Sequence, residues 1–313
     1  MTGIRLGPGR EFDLIRAIAS RLGTVAPALG DDAAVIPIGG TNLVATIDCS
    51  LEDVHFRTDW MSHREIGWRA AAAAISDLAA EGASLTGVLV SLGLPGGDEE
   101  MTAGVEIMAG IGDVVQEMKG TVLGGDIVRS DRIIIDVCAL GTADHPVSRA
   151  GARPGDGIWV TGELGGPGAA LAAWSSGIEP AASARKRFVH PVPRIAAGGW
   201  LARNGAHAMI DISDGLAADL GHIAAASGVA VALDANAVPL LCGKALAALA
   251  SGEEYELAVA LPPEFGVREG AGLFREHDLV LTRVGECRAG SGVHVTLDGR
   301  PVEAPAGFDH FST

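Results

Sequence analysis

Five short segments carry aspartates where a folded chain has little structural reason to keep them. They are Gly30-Asp31-Asp32-Ala33-Ala34, Thr46-Ile47-Asp48, Ser76-Asp77-Leu78, Gly124-Gly125-Asp126 and Asp211-Ile212-Ser213-Asp214-Gly215. Each adjoins an apolar stretch, and aspartate is a poor residue for strand interiors and helix centres. Asp77 is the most telling, because it sits inside an otherwise apolar helical run. A short carboxylate there has to be paired, hydrogen-bonded or metal-bound. Taken singly, each also has a plain reading. Asp31 or Asp32 turns the chain, and Ser213 or Asp214 caps the next helix. Taken together, carboxylates from separate segments suit magnesium, which is held by carboxylates and substrate phosphates. That pattern fits a multi-metal nucleotide site.

Other phosphate-binding devices are missing. The sequence has no G-x-x-x-x-G-K-[ST] loop and no G-x-G-x-x-G following a strand. Kinase and hydrolase signatures are absent as well. Thr161-Gly162-Glu163-Leu164-Gly165-Gly166-Pro167-Gly168 is either a plain loop or a carrier of backbone amides to a phosphate.

The elements that must position these residues can be read from periodicity. Phe12, Ile15, Ile18 and Leu22 predict a helix over 11–22, and a strand over 43–47 runs into Asp48. An alanine-rich helix over 63–82 carries Asp77. A strand over 86–92, a helix over 98–119 with a methionine stripe for the core, and a strand over 132–140 follow. Glycines and prolines crowd residues 146–157, marking a boundary between domains 1–145 and 146–313. The second half alternates again. Helices are expected over 168–175, 194–204 and 214–227, and strands over 158–161, 208–212, 229–233, 255–261, 279–284 and 293–297. Asp298-Gly299 reads as a hairpin turn. The pattern indicates an α/β (α+β) fold in two domains. Ile75-Ser76-Asp77-Leu78-Ala79-Ala80 and Ile212-Ser213-Asp214-Gly215-Leu216-Ala217-Ala218 echo each other, by duplication or by chance.

Composition excludes several classes. A formal charge of −16 leaves no basic surface for duplex nucleic acid. With aromatics at 4%, stacking platforms for single strands are few. The four cysteines, Cys49, Cys138, Cys242 and Cys287, are too scattered for a disulfide framework or a zinc site. No apolar run is long enough for a membrane span, and Met1-Thr2-Gly3-Ile4-Arg5 opens no apolar leader. The expected compartment is the reducing cytoplasm.

At these residues the chain resembles the thiamine-monophosphate kinases, in the superfamily of aminoimidazole ribonucleotide synthetase. The likeness runs nearly end to end. It opens on Glu11-Phe12-Asp13-Leu14-Ile15 and continues through the aspartate segments, Val54-His55-Phe56 and Ser148-Arg149-Ala150-Gly151. It closes on Gly252-Glu253-Glu254-Tyr255-Glu256-Leu257 and Gly307-Phe308-Asp309-His310-Phe311. The resemblance implies an N-terminal mixed sheet or barrel half that dimerises and a C-terminal α/β half that completes the sites. It implies ATP and thiamine monophosphate as small-molecule substrates, several magnesium ions, and no nucleic-acid or membrane partner. By the same likeness Asp32, Thr46, Asp48, Asp77, Asp126, Asp211 and Asp214 bind magnesium. Gly125, Asp126, Arg149 and Ser213 lie at ATP, and His55, Glu253 and Phe308 at the acceptor. Transfer is expected to be direct, with no catalytic protein base.

Residue by residue, plain readings stay open for three of them. His55 is a half-buried histidine, Arg149 a boundary charge, and Phe308 part of a packed tail. The chain departs from the family at Ile47, Cys49, Ile127 and Val128, which stand where hydroxyl residues are usual. Two hydroxyls are therefore expected to be lost beside Asp48. The alternatives are another ATP-using synthetase or ligase of this superfamily with a different acceptor, and a non-catalytic nucleotide-binding paralogue. The absence of an N-terminal reactive cysteine or a C-terminal cysteine argues against the selenophosphate and hydrogenase-maturation branches.

Overall fold

The computed structural model describes residues 5–26 and 29–311. Residues 1–4, part of the expected leaderless start, lie outside the described chain. The N-terminal half runs α1 (Arg10–Leu22), β1 (Ala34–Ile38), β2 (Thr41–Leu51), α2 (His63–Ala80), β3 (Ser84–Leu94), α3 (Asp98–Glu117), β4 (Thr121–Arg129) and β5 (Ile134–Ala143). Its strands form a mixed five-stranded sheet in the order β1-β2-β5-β3-β4. Only β3 and β4 pair parallel. Val44, Val88, Val90, Ile135, Val137 and Ala139 are buried on the face that carries α2 and α3.

The C-terminal half runs β6 (Gly157–Thr161), α4 (Gly166–Ser175), α5 (Ala182–Val189), α6 (Ile195–Arg203), β7 (Ala208–Asp211), α7 (Leu216–Ser227) and β8 (Ala230–Asp234). It continues with α8 (Ala245–Leu249), β9 (Leu257–Leu261), α9 (Val267–His277), β10 (Leu281–Arg288), β11 (Gly292–Leu297) and β12 (Arg300–Val302). These strands make a seven-stranded sheet in the order β12-β11-β8-β10-β6-β9-β7. Asp298 and Gly299 both have positive φ, as the turn between β11 and β12 requires. Among the described residues no helix is long and apolar enough to cross a membrane.

Helix α2 joins the two halves. Ser62 starts it with a capping box, its side chain accepting from Glu65 N while the Glu65 carboxylate accepts from Ser62 N. Fourteen of its 18 residues are buried, so it has almost no wet face. A helix apolar all round belongs in a core. Its N-terminal-half neighbours are α3, β2 and β5, and its far side meets α5, α6 and β7. The Trp68 indole donates to Pro191 O at 2.7 Å, fixing the helix to the second half.

Several elements escape sequence periodicity. Strand β4 contains Gly124 and Gly125, which weaken strand patterning. The Cβ of any side chain at Gly125 would lie 1.8 Å from Val90 O, so this glycine is required by the close approach of β3. Helix α7 begins at Leu216, and its N-cap is Gly215. Ser213 and Asp214 are therefore in the preceding turn and do not cap the helix. The two Ile-Ser-Asp segments occupy different places, one inside α2 and one before α7.

Candidate functional site

Three of the expected metal residues converge. Asp32 precedes β1, Asp77 lies on α2, and Asp211 ends β7. Their carboxylate oxygens lie within 4.8 Å of one another. Thr46, on β2, donates its hydroxyl to Asp77 Oδ2 at 2.6 Å. Arg149 donates to Asp32 Oδ1 at 2.5 Å, and its backbone N–H bonds Asp31 Oδ1 at 2.9 Å. Burial pushes all three carboxyls above the usual range, Asp211 to about 8, with neighbouring aspartates adding to the shift. Asp48 is pushed up to about 6, first by burial and then by Glu253. Arg149 supplies the cation bonded directly to this triad. The donor set is all oxygen, so a hard divalent cation fits the remaining negative charge.

Beside the triad lies a cleft of about 230 Å³, lined by Asp48, Asp77, Arg149, Ser213, Asp214, His55, Glu253 and Phe308 among others. With Asp211, nine of the expected site residues thus share one cavity. His55 Nδ1 accepts from Leu51 N at 3.0 Å, and burial lowers its pKa. The ring is therefore neutral with its proton on Nε2, which makes it a donor and no base. Glu253 is tied to Arg69 by an ion pair and accepts from the Tyr255 hydroxyl at 2.5 Å. Both bonds go to Oε2.

The loop carrying Glu253 is zipped to the Ser213 turn. Glu253 N donates to Ser213 O at 2.7 Å, and Tyr255 N to Ile212 O at 2.9 Å. The C-terminal tail closes the other wall. Phe308 N bonds Asp214 O at 3.1 Å, and a Cβ on Gly307 would sit 2.7 Å from that same oxygen. Phe308 remains 56% exposed, so its ring is free to face a ligand.

Gly125 and Asp126 are placed elsewhere. Strand β4 is the far edge of the sheet, three strand spacings or roughly 14 Å from β2. Register puts Asp126 opposite Ser91, in the row of Asp136 and Cys49 on the outer sheet face. Asp48 projects to the other face. The same alternation bears on the missing hydroxyls. Thr46 points at Asp77, so Ile47 and Cys49 alternate away from that carboxylate along β2, while Ile47 still lines the cleft beside Asp48. The Thr161 to Gly168 loop has no amides to spare at four positions. Gly162, Leu164, Gly165 and Gly168 donate to Val280 O, Pro239 O, Glu254 Oε1 and Ser251 Oγ.

Sequence reasoning missed Arg69, Tyr255, Asp219 and His222. Arg69 had a signal: it is a charge within the alanine run of α2, the same anomaly that marks Asp77. Asp219 and His222 sit three apart on α7 and form a second cluster with Asp214, one ligand atom from each lying within 4.8 Å of the others.

Both halves match known families: residues 30–143 the AIR synthase related protein N-terminal domain, and residues 153–298 its C-terminal domain. Together with the two sheets and the carboxylate cleft, these matches define an AIR synthase related protein. A thiamine-monophosphate kinase of Mycobacterium tuberculosis is 39% identical over 217 residues, covering 69% of this chain and 65% of that relative. One from Halobacterium salinarum is 38% identical, covering 80% of this chain and 85% of the relative. The solved structure of AaThiL complexed with AMPPCP and TMP has a TM-score of 0.84 and 31% identity, covering 97% of both chains. The chain belongs to the thiamine-monophosphate kinase family.

Proposed function

We propose that this chain transfers the terminal phosphoryl group of ATP to the phosphate of thiamine monophosphate, giving thiamine diphosphate. The observation that carries the reading is the triad of Asp32, Asp77 and Asp211 opening on a cleft with a neutral histidine donor. Magnesium held by the triad, with Thr46 and Asp48 beside it, supplies charge neutralisation between two anionic substrates. Arg149 and Ser213 line the nucleotide side, while His55, Glu253 and Phe308 line the acceptor side. A phosphomonoester has a second pKa of about 6, so its oxygen is mostly unprotonated at pH 7 and needs no base. His55 therefore orients the acceptor through Nε2–H, and the protein's work is alignment and charge compensation.

The test is a panel of phosphorylated acceptors incubated with ATP and magnesium, with products identified by mass. Thiamine monophosphate is expected to yield thiamine diphosphate and ADP, and excess chelator to abolish turnover. Full activity in chelator, or turnover confined to a different acceptor, overturns the assignment.

We also propose that the chain acts as a homodimer through the outer face of the N-terminal sheet, with residues 1–145 as the dimerising domain and 146–313 completing the sites. That face carries Ile47, Leu89, Cys138 and Leu140, and its edge strand β4 is exposed along its whole length. An apolar sheet face with an open edge is an association surface. Leu89→Asp is expected to halve the mass seen by sedimentation and to lower activity with it. A variant that sediments like the parent protein argues for a different interface.

A further inference from the structure

Asp214, Asp219 and His222 gather at the start of α7, as a set separate from the triad of Asp32, Asp77 and Asp211. Asp219 and His222 are three residues apart and so share one helix face. Asp214 reaches them from the turn before the helix. Asp219 is 1% exposed, and its Oδ2 accepts from Gly215 N at 3.1 Å. His222 is 6% exposed, and its buried Nδ1 makes no hydrogen bond among the described residues. Phe12 covers the imidazole, with ring centroids 4.1 Å apart.

Among the described residues no side-chain cation is bonded to this group of two carboxyls and an imidazole. Arg149, which acts on all three, is committed to Asp32. A cavity of about 520 Å³ lined by Asp214, His222, Phe12 and Gly307 gives access from solvent.

We propose that Asp214, Asp219 and His222 form a second metal site, one that binds a divalent first-row transition ion such as manganese or zinc. The imidazole decides the class. Magnesium and calcium take oxygen ligands, whereas mixed nitrogen and carboxylate sets suit manganese, iron and zinc. Such an ion fixes the Ser213–Gly215 turn, and through it the wall of the cleft. The site shares Asp214 with the expected magnesium set, while Asp219 and His222 lie outside that set.

The experiment takes the full chain, stripped with chelator and loaded with Mn2+ alone, without nucleotide. Pulsed electron paramagnetic resonance is expected to show nitrogen hyperfine coupling from imidazole, which the oxygen-only triad does not give. His222→Gln should lose that coupling and one equivalent of bound Mn2+ while keeping the triad's signal. Asp219→Asn should weaken the nitrogen-coupled component at least tenfold. Bound Mn2+ without nitrogen coupling in the parent protein overturns the proposal, whatever the variants do. So does coupling that persists in His222→Gln.

Discussion

Asp77→Asn should cost about a thousandfold in kcat and leave the fold intact. The side chain keeps its volume and loses one charge from a triad whose purpose is to hold cations between anionic substrates. The Thr46 hydroxyl can still donate to the amide oxygen, so the local packing survives. Stability should move the other way. In the unfolded chain these carboxyls titrate near about pH 4, while Asp211 is pushed up to about 8 in the folded chain. Between those values the folded state holds protons that the unfolded state has released. Metal-free stability therefore falls as pH rises from about 4 to about 8. Removing one carboxylate relieves that repulsion. In chelator at pH 8, Asp77→Asn should melt above the parent protein, and the gap should close toward pH 5. Calorimetry across pH, with turnover assays in magnesium, reads both. Near-parental turnover removes Asp77 from the metal set, and a lower melting point assigns it a structural role.

Arg69→Met should destabilise the protein by about 3–5 kcal/mol, the usual cost of breaking a buried pair. Arg69 is 4% exposed and anchors three groups from the second half. It pairs with Glu253, donates to Phe188 O at 3.2 Å, and lies over the Phe188 ring at 4.0 Å. Replacement leaves the Glu253 carboxylate with only the Tyr255 hydroxyl, in a loop where both residues already adopt positive φ. The acceptor wall should loosen, so KM for the acceptor should rise more than KM for ATP. Thermal denaturation measures the first effect and initial rates the second. A loss under about 1 kcal/mol would show that the pair contributes no more than an exposed one.

Much of the site was legible because acidic residues in apolar surroundings are expensive, and a sequence displays that cost. Asp77 in its alanine run, and Asp211 at the end of a strand, announce themselves without any structure. The same logic applied to cations would have found Arg69. Asp126 was legible as an anomaly but not as a location, since sequence cannot say which strand lies at which edge. Asp219 and His222 stayed hidden because an aspartate and a histidine on an amphipathic helix look like its wet face. His222 is covered by Phe12 and the Gly7 segment, which come from elsewhere in the chain. Strand β4 was missed for a related reason: its Gly125 answers to the backbone of β3, a contact that local patterning does not encode.

Helix α2 has a consequence for how the chain is made. Its first-half neighbours are complete by residue 143, but the groups that cover its other side come from β7 and from α5 and α6, and the partner of Arg69 is Glu253. A ribosome adding roughly 5–20 residues per second takes several seconds to supply that stretch. Throughout that interval the nascent N-terminal half carries an alanine-lined face and an unpaired arginine that the finished molecule hides. Biosynthesis thus passes through an obligatory sticky stage, whose length is set by translation speed rather than by any intrinsic folding rate.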